Sequence, residues 1–169
     1  MSTLADLIVA SQDDAEAIVA SDYPLGKYEG INVDGLDPLQ VAELHSQIVG
    51  KELGDLLGAY QPVAEGSPSG PWLISCPIEF IEALANLHPE NQAPTAEQWA
   101  AAPHPQEAGW TPQDAEKYLA QLVRLGQVAV ALCRRGEEKQ REVHGVQAAV
   151  AVKIHRVSHL GEAVRFGRE

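Results

Sequence analysis

Residues 111–135, TPQDAEKYLAQLVRLGQVAVALCRR, constrain the fold of this chain more than any other stretch. Ala115, Tyr118, Leu119, Leu122, Leu125, Gly126, Ala129, Leu132 and Cys133 recur at three- and four-residue steps, which places them on one stripe of an α-helix. Glu116, Lys117, Gln121, Arg124 and Gln127 fall largely outside that stripe. Pro112 suits the first helical position, where a missing N–H costs nothing. Thr111 can cap the free amides, with Asp114 three residues on as its reciprocal partner. Arg134 and Arg135 suit the negative end of the helix dipole, and Gly136 reads as the stop. A helix over 112–135 is roughly 36 Å long, enough to cross a small domain. Val123, Val128 and Val130 widen its apolar face, so neighbours are expected on more than one side.

The other segments read as shorter pieces packed around this spine. Leu7-Ile8-Val9 fits a buried strand or a frayed helix end, and Ser11 with Asp14 opens a short helix whose inner face is Ala15, Ile18 and Val19. Residues 21–35, rich in Gly, Asp and Pro, read as loop. Leu36-Asp37-Pro38-Leu39-Gln40-Val41 is the sharpest local signature: Asp37 caps, Pro38 takes the first helical position, Gln40 reaches back and Leu36 staples onto Val41. That helix runs to Gly50, and Leu53, Leu56, Leu57 and Tyr60 mark a second, weaker one.

Residues 61–70 read as loop and 71–75 as a strand. A helix from Pro77 shows Ile78, Ile81, Leu84, Ala85 and His88 and stops at Pro89; another opens at Thr95 with Gln98 and carries Trp99; 104–109 reads as a linker. After a charged turn, Val150, Val152 and Ile154 alternate as in a strand, although the alanines around them also suit a helix.

With 169 residues the chain fits one domain, and 45% hydrophobic residues suffice for a core. The expected class is α+β, mainly helical: about six helices around the long helix 112–135, with a small sheet drawn from the runs near Leu7, Trp72 and Val150. Residues 1–142 are expected to form a single globular domain, and 143–169 a C-terminal strand and basic tail, disordered in part. No apolar run approaches the roughly 18 residues of a membrane span, and the N-terminus lacks a secretory pattern, so the expected location is cytoplasmic.

The net charge of −12 is unevenly spread. Residues 1–110 hold only Lys27 and Lys51 against 17 acids, a balance of −15, whereas 111–169 hold ten bases and seven acids, a balance of +3. An acidic body repels nucleic acid and anionic lipid and attracts a basic protein.

The order GLDPLQVAELH, then GPWLISCP before an apolar helix, then QWA, then a long helix opened by W-T-P resembles a group of uncharacterised bacterial proteins of unknown function. The likeness covers roughly residues 5–135; it implies one compact domain and no activity, and the extended tail departs from it.

Motifs for chemistry are sparse. Cys76 and Cys133 lie far apart, in no CxxC or Cys/His cluster, and are expected to be reduced and buried rather than bridged. His155 and His159 would share a metal on a helix, but on a strand they sit about 13 Å apart, and neither His144 nor any acid completes a ligand set; no metal or cofactor is expected. Neither a GxSxG elbow nor a phosphate-binding glycine loop occurs. Glu79 and Glu82, one turn apart, fit a solvated helix face as well as a carboxylate pair.

Trp72, Trp99 and Trp110 are expected against the central helix, or else lining a binding pocket with His45 and His88. The leading expectation is a non-enzymatic interaction protein, regulatory or toxin-neutralising, whose acidic face meets a basic partner. The alternative is an enzyme or small-molecule binder with its pocket near His45, His88 and the tryptophans. Association of the basic tail with the acidic body is a third. The sequence names no ligand, partner or oligomeric state.

Overall fold

The computed structural model describes residues 4–60, 62–67, 71–140 and 148–156, with the backbone course alone for 136–140 and 148–156. One five-stranded antiparallel sheet organises it, in the order β2-β1-β5-β4-β3. The strands are β1 (Leu4–Ser11), β2 (Glu29–Asp34), β3 (Pro62–Glu65), β4 (Trp72–Ser75) and β5 (Ala148–Arg156). Seven α-helices are described: α1 (Ala15–Ala20), α2 (Pro38–Val49), α3 (Leu53–Leu56), α4 (Ile78–Ala85), α5 (Pro89–Ala100), α6 (Pro103–Glu107) and α7 (Pro112–Gln140). The protein is thus mainly helical α+β, with the expected long helix and small sheet.

Alternation along β1 splits the core in two. Ala5, Leu7 and Val9 join the large core beneath α2, α4, α5 and α7, while Ile8, between them, packs on the other face with Ile18, Val19 and Leu73. The sheet is therefore the middle of three layers, with α1 and the turn carrying Leu25 on its far side. The three apolar runs picked out in the sequence supply β1, β4 and β5, the middle of the sheet. In the register, Val152 stands opposite Leu7 and Val150 opposite Val9. The 142/143 boundary, His144, His159 and the last 13 residues lie outside the described residues.

Both edge strands were expected to be loop. β2 contains Gly30, which reads as a breaker, yet a Cβ there would overlap Leu7 O and the Leu25 side chain. Here glycine permits a close backbone approach within a strand rather than a turn. β3 forms against β4 within the Pro- and Ser-rich segment, through non-local pairing that local composition does not reveal.

The helix caps form as read. Asp37 Oδ1 accepts from Gln40 N at 2.8 Å while Gln40 Oε1 accepts from Asp37 N at 2.8 Å, and Leu36 and Val41 are both fully buried. Thr111 and Asp114 form the second capping box, Thr111 N donating to Asp114 Oδ2 at 2.9 Å. Gly50, with φ of 69°, closes α2 in the left-handed conformation.

Four local expectations are corrected. Helix α7 runs through Gly136 to Gln140; one glycine weakens a helix by only about 1 kcal/mol, and Glu137, Glu138 and Lys139 favour its continuation. Leu132 is 40% exposed, so the buried stripe of α7 ends near Ala129. On α4 the inner residues are Phe80, Ile81 and Leu84, and Ile78 faces outward. Finally, α5 begins at Pro89 and continues through Pro94, so the Thr95 start is not used. Pro94 removes one hydrogen bond from an exposed turn, and Ala96, Trp99 and Ala100 bury the far end of the same helix.

Candidate functional site

Helix α2 is buried over Gln40–His45 and carries a polar pair on each of two sides. Glu43 and His45 are two residues apart, roughly 200° around a helix, and so reach different neighbours.

His45 is 1% exposed and faces Tyr60 and Phe80. Its Nδ1 and the Tyr60 hydroxyl are 2.9 Å apart, a hydrogen bond that either ring tautomer can form. Nε2 is buried with no partner among the described residues. The Phe80 ring lies 4.9 Å away between centroids. Burial holds His45 below its usual pKa; Glu79 opposes this and Lys51 reinforces it. Burial, then the Cys76 thiol, pushes the Tyr60 phenol up. Cys76 itself is raised to about 12 by burial, which leaves it a thiol at neutral pH and no nucleophile.

On the other side, Glu43 is 6% exposed and its Oε1 lies 2.7 Å from His104 Nδ1. The backbone N–H of His104 also points at Oε1, at 3.4 Å. Burial alone would lower His104, but the hydrogen bond and charge of Glu43, with Asp37 and Glu107 behind it, raise it overall. Pro103 starts the short helix that presents His104, in a segment read from sequence as a linker. Glu43 Oε2 and Gln47 Oε1, one turn apart on α2, are both buried without partners among the described residues. Gln47 Nε2 donates to Gln98 O at 3.2 Å.

The proposed site residues fall in four places. His45 is in the core, and His88 is exposed at the N-terminal cap of α5. Trp99 is fully buried and donates its indole N–H to Gln40 O at 2.9 Å. Trp99 meets Trp110 edge-on at 5.1 Å, and Trp110 meets Tyr118 at 4.9 Å, so these two tryptophans tie α5 to the start of α7. Trp72 lies on β4, half-buried. One small void in the core is apolar, about 10 Å³, lined by Leu7, Cys76, Phe80, Leu84, Leu122 and Gly126. That is at the lower limit for one water and lacks the polar partners to hold it. Among the described residues no three His, Cys, Asp or Glu side chains are placed to share a metal ion.

No family model, curated protein or solved structure matches this chain. Sequence reasoning found His45 but not its Tyr60 partner, and it missed the Glu43–His104 pair entirely. The one local signal for that pair was Pro103, which marks a helix start before His104.

The surface differs from both pairs. On the surface Lys51 Nζ lies 2.7 Å from Glu79 Oε2. Lys27 bonds the Tyr28 hydroxyl at 2.9 Å and lies 4.8 Å from the centre of the same ring. Exposed acids include Asp13, Glu16, Asp22 and Glu29 near the sheet, and Glu82, Glu90, Glu97 and Glu107 on α4 to α6.

Proposed function

We propose that this chain is a non-enzymatic interaction module, of regulatory or toxin-neutralising type, whose acidic surface docks a basic protein. One observation carries the reading: residues 1–110 hold a balance of −15 with Lys27 and Lys51 already counted, and Asp13, Glu16, Asp22, Glu29, Glu82, Glu90, Glu97 and Glu107 among their acids stand exposed on the described fold. A surface of one sign steers an oppositely charged partner and speeds its association. The same potential repels the phosphates of nucleic acid. A cytoplasmic setting belongs to the same proposal; no described helix is long and apolar enough to cross a membrane. The buried groups support the reading as well. The Cys76 thiol is held protonated and His45 is sealed among aromatic rings, which suits a core rather than a reacting centre.

The test is affinity capture with the purified full chain at low salt and at about 300 mM salt, where the Debye length falls below 8 Å. Capture of a protein of basic pI, lost at the higher salt, supports the proposal. Complexes indifferent to salt, or formed with acidic proteins alone, overturn it.

A further inference from the structure

The two edges of the sheet are guarded differently. β3 is four residues long, starts at Pro62 and breaks register between Pro62 and Ala64. Short length, proline and a bulge are the usual devices that stop another strand from adding. β2 has none of them. It is six residues long and runs without a break against β1, from Leu4↔Asp34 to Val9↔Glu29. It contains neither proline nor lysine, and no described residue makes a backbone hydrogen bond to its far side. Glu29 and Asn32 are exposed along it.

Its charges narrow the occupant. An antiparallel copy of β2 in full register would set Glu29 against Asp34 at both ends, which is repulsive. The chain's own residues 157–169 carry Arg165 and Arg168 against Glu162 and Glu169, so their charges cancel and they gain nothing from an acidic edge. A strand with a cation at each end, five residues apart, would set one at the register position of Glu29 and the other at that of Asp34.

We infer that β2 is a docking edge that adds an extended, basic segment of another protein as a sixth, antiparallel strand. Main-chain hydrogen bonds would give the affinity, and the acids at either end the choice of partner. The inference rests on the acidic-surface reading and says where and in what conformation the partner binds.

The experiment uses the full chain and a labelled, end-blocked peptide, Lys-Val-Thr-Val-Thr-Lys. Two further versions are N-methylated at the odd or at the even amides. Methylation keeps the charge but removes the N–H groups along one side of the peptide. Binding is followed by fluorescence anisotropy at about 50 mM salt, where screening is weak. The plain peptide is expected to bind, one methylated set to weaken it by about tenfold or more and the other far less, since alternate amides face opposite ways. Glu29→Lys is expected to weaken the plain peptide by several-fold.

Equal binding by all three peptides overturns strand addition and leaves the acidic-surface reading standing. Failure of the peptides while polylysine still binds has the same meaning. If polylysine also fails to bind, both proposals fall.

Discussion

On one side of α2, His45 is enclosed by Tyr60 and Phe80; on the other, the buried Glu43 reaches His104, which is 32% exposed at the rim. Both histidines use Nδ1 for their hydrogen bond. His45 has a neutral phenol as partner and loses water, so its neutral form is favoured. His104 loses some water too, but a carboxylate partner outweighs that and favours the charged form. Burial of the histidine alone therefore does not decide its charge; the partner's charge does.

The largest effect should come from His104→Ala. It leaves Glu43 buried with neither oxygen bonded to a side chain among the described residues. Stranding a fully buried charge costs about 3–5 kcal/mol; discounted for the exposure of His104, about 2–3 kcal/mol is expected at neutral pH. In a chain of this size that lowers Tm by about 5–10 °C. A change below about 0.5 kcal/mol, the range of ordinary surface substitutions, would show that the pair is ornamental.

On the other side, Tyr60→Phe removes the only hydrogen-bond partner of the His45 side chain among the described residues and should cost about 1–2 kcal/mol in urea unfolding. His45→Phe should cost a similar amount by stranding the phenol. The double variant should be less damaging than the two single losses added together, because replacing both partners by apolar groups leaves nothing unsatisfied. Simple additivity would mean that the 2.9 Å contact contributes nothing.

Smaller still, and opposite in sign on the two sides, are the pH effects. His45 is lowered from 6.5, so its contribution is present above pH 6.5 and is lost as pH falls below that toward the folded value, because the unfolded chain takes the proton first. His104 is raised from 6.5, so its contribution is complete below pH 6.5 and is lost as pH rises through the folded value. Taken together, the two histidines favour the fold most near pH 6.5. Glu43→Gln keeps the side-chain shape but removes the charge, and should erase the loss above 6.5 while leaving the loss below it. Two-dimensional NMR of the imidazoles checks both: one midpoint below 6.5, one above, and only the upper one moved by Glu43→Gln.

Local chemistry explains why only part of this was legible in the sequence. The boxes at Asp37–Gln40 and Thr111–Asp114 are written within four residues, and so they can be read. The apolar run Leu7-Ile8-Val9 and the alternation of Val150, Val152 and Ile154 are as local, but each also suited a helix until the pairing of β1 with β5 put both in the sheet. β2 and β3 are strands because of what lies beside them, and Gly30 is a strand residue only because Leu7 O occupies the space of its Cβ. Glu43 and His104 are 61 residues apart, joined by a crossing of α2 and α6 that no window of sequence contains. His88 looked like the inner face of a helix because the periodicity of α4 runs on past its end at Ala85; the chain instead restarts at Pro89 and leaves His88 outside as a cap. The acidic surface needed no fold to be seen, whereas the open edge of β2 needed the strand order.

The smallest expected effect belongs to Gln47, which sharpens the comparison from the Glu43 side. Its Oε1 is buried without a partner, one turn from the equally unpartnered Glu43 Oε2, so two acceptors lie close together with no donor between them among the described residues. Gln47→Met fills a similar volume and removes one of them. It also removes the 3.2 Å donation to Gln98 O, but Gln98 is exposed and water can take over that carbonyl. The loss of a replaceable bond and the relief of a buried acceptor nearly offset, so stability should change by less than about 1 kcal/mol, with stabilisation the favoured direction. A loss beyond about 2 kcal/mol would mean that a donor, such as a trapped water, already bridges the two oxygens. The side of α2 that carries His104 would then be a closed hydrogen-bond network like the Tyr60 side, and the contrast between the two faces would rest on charge alone.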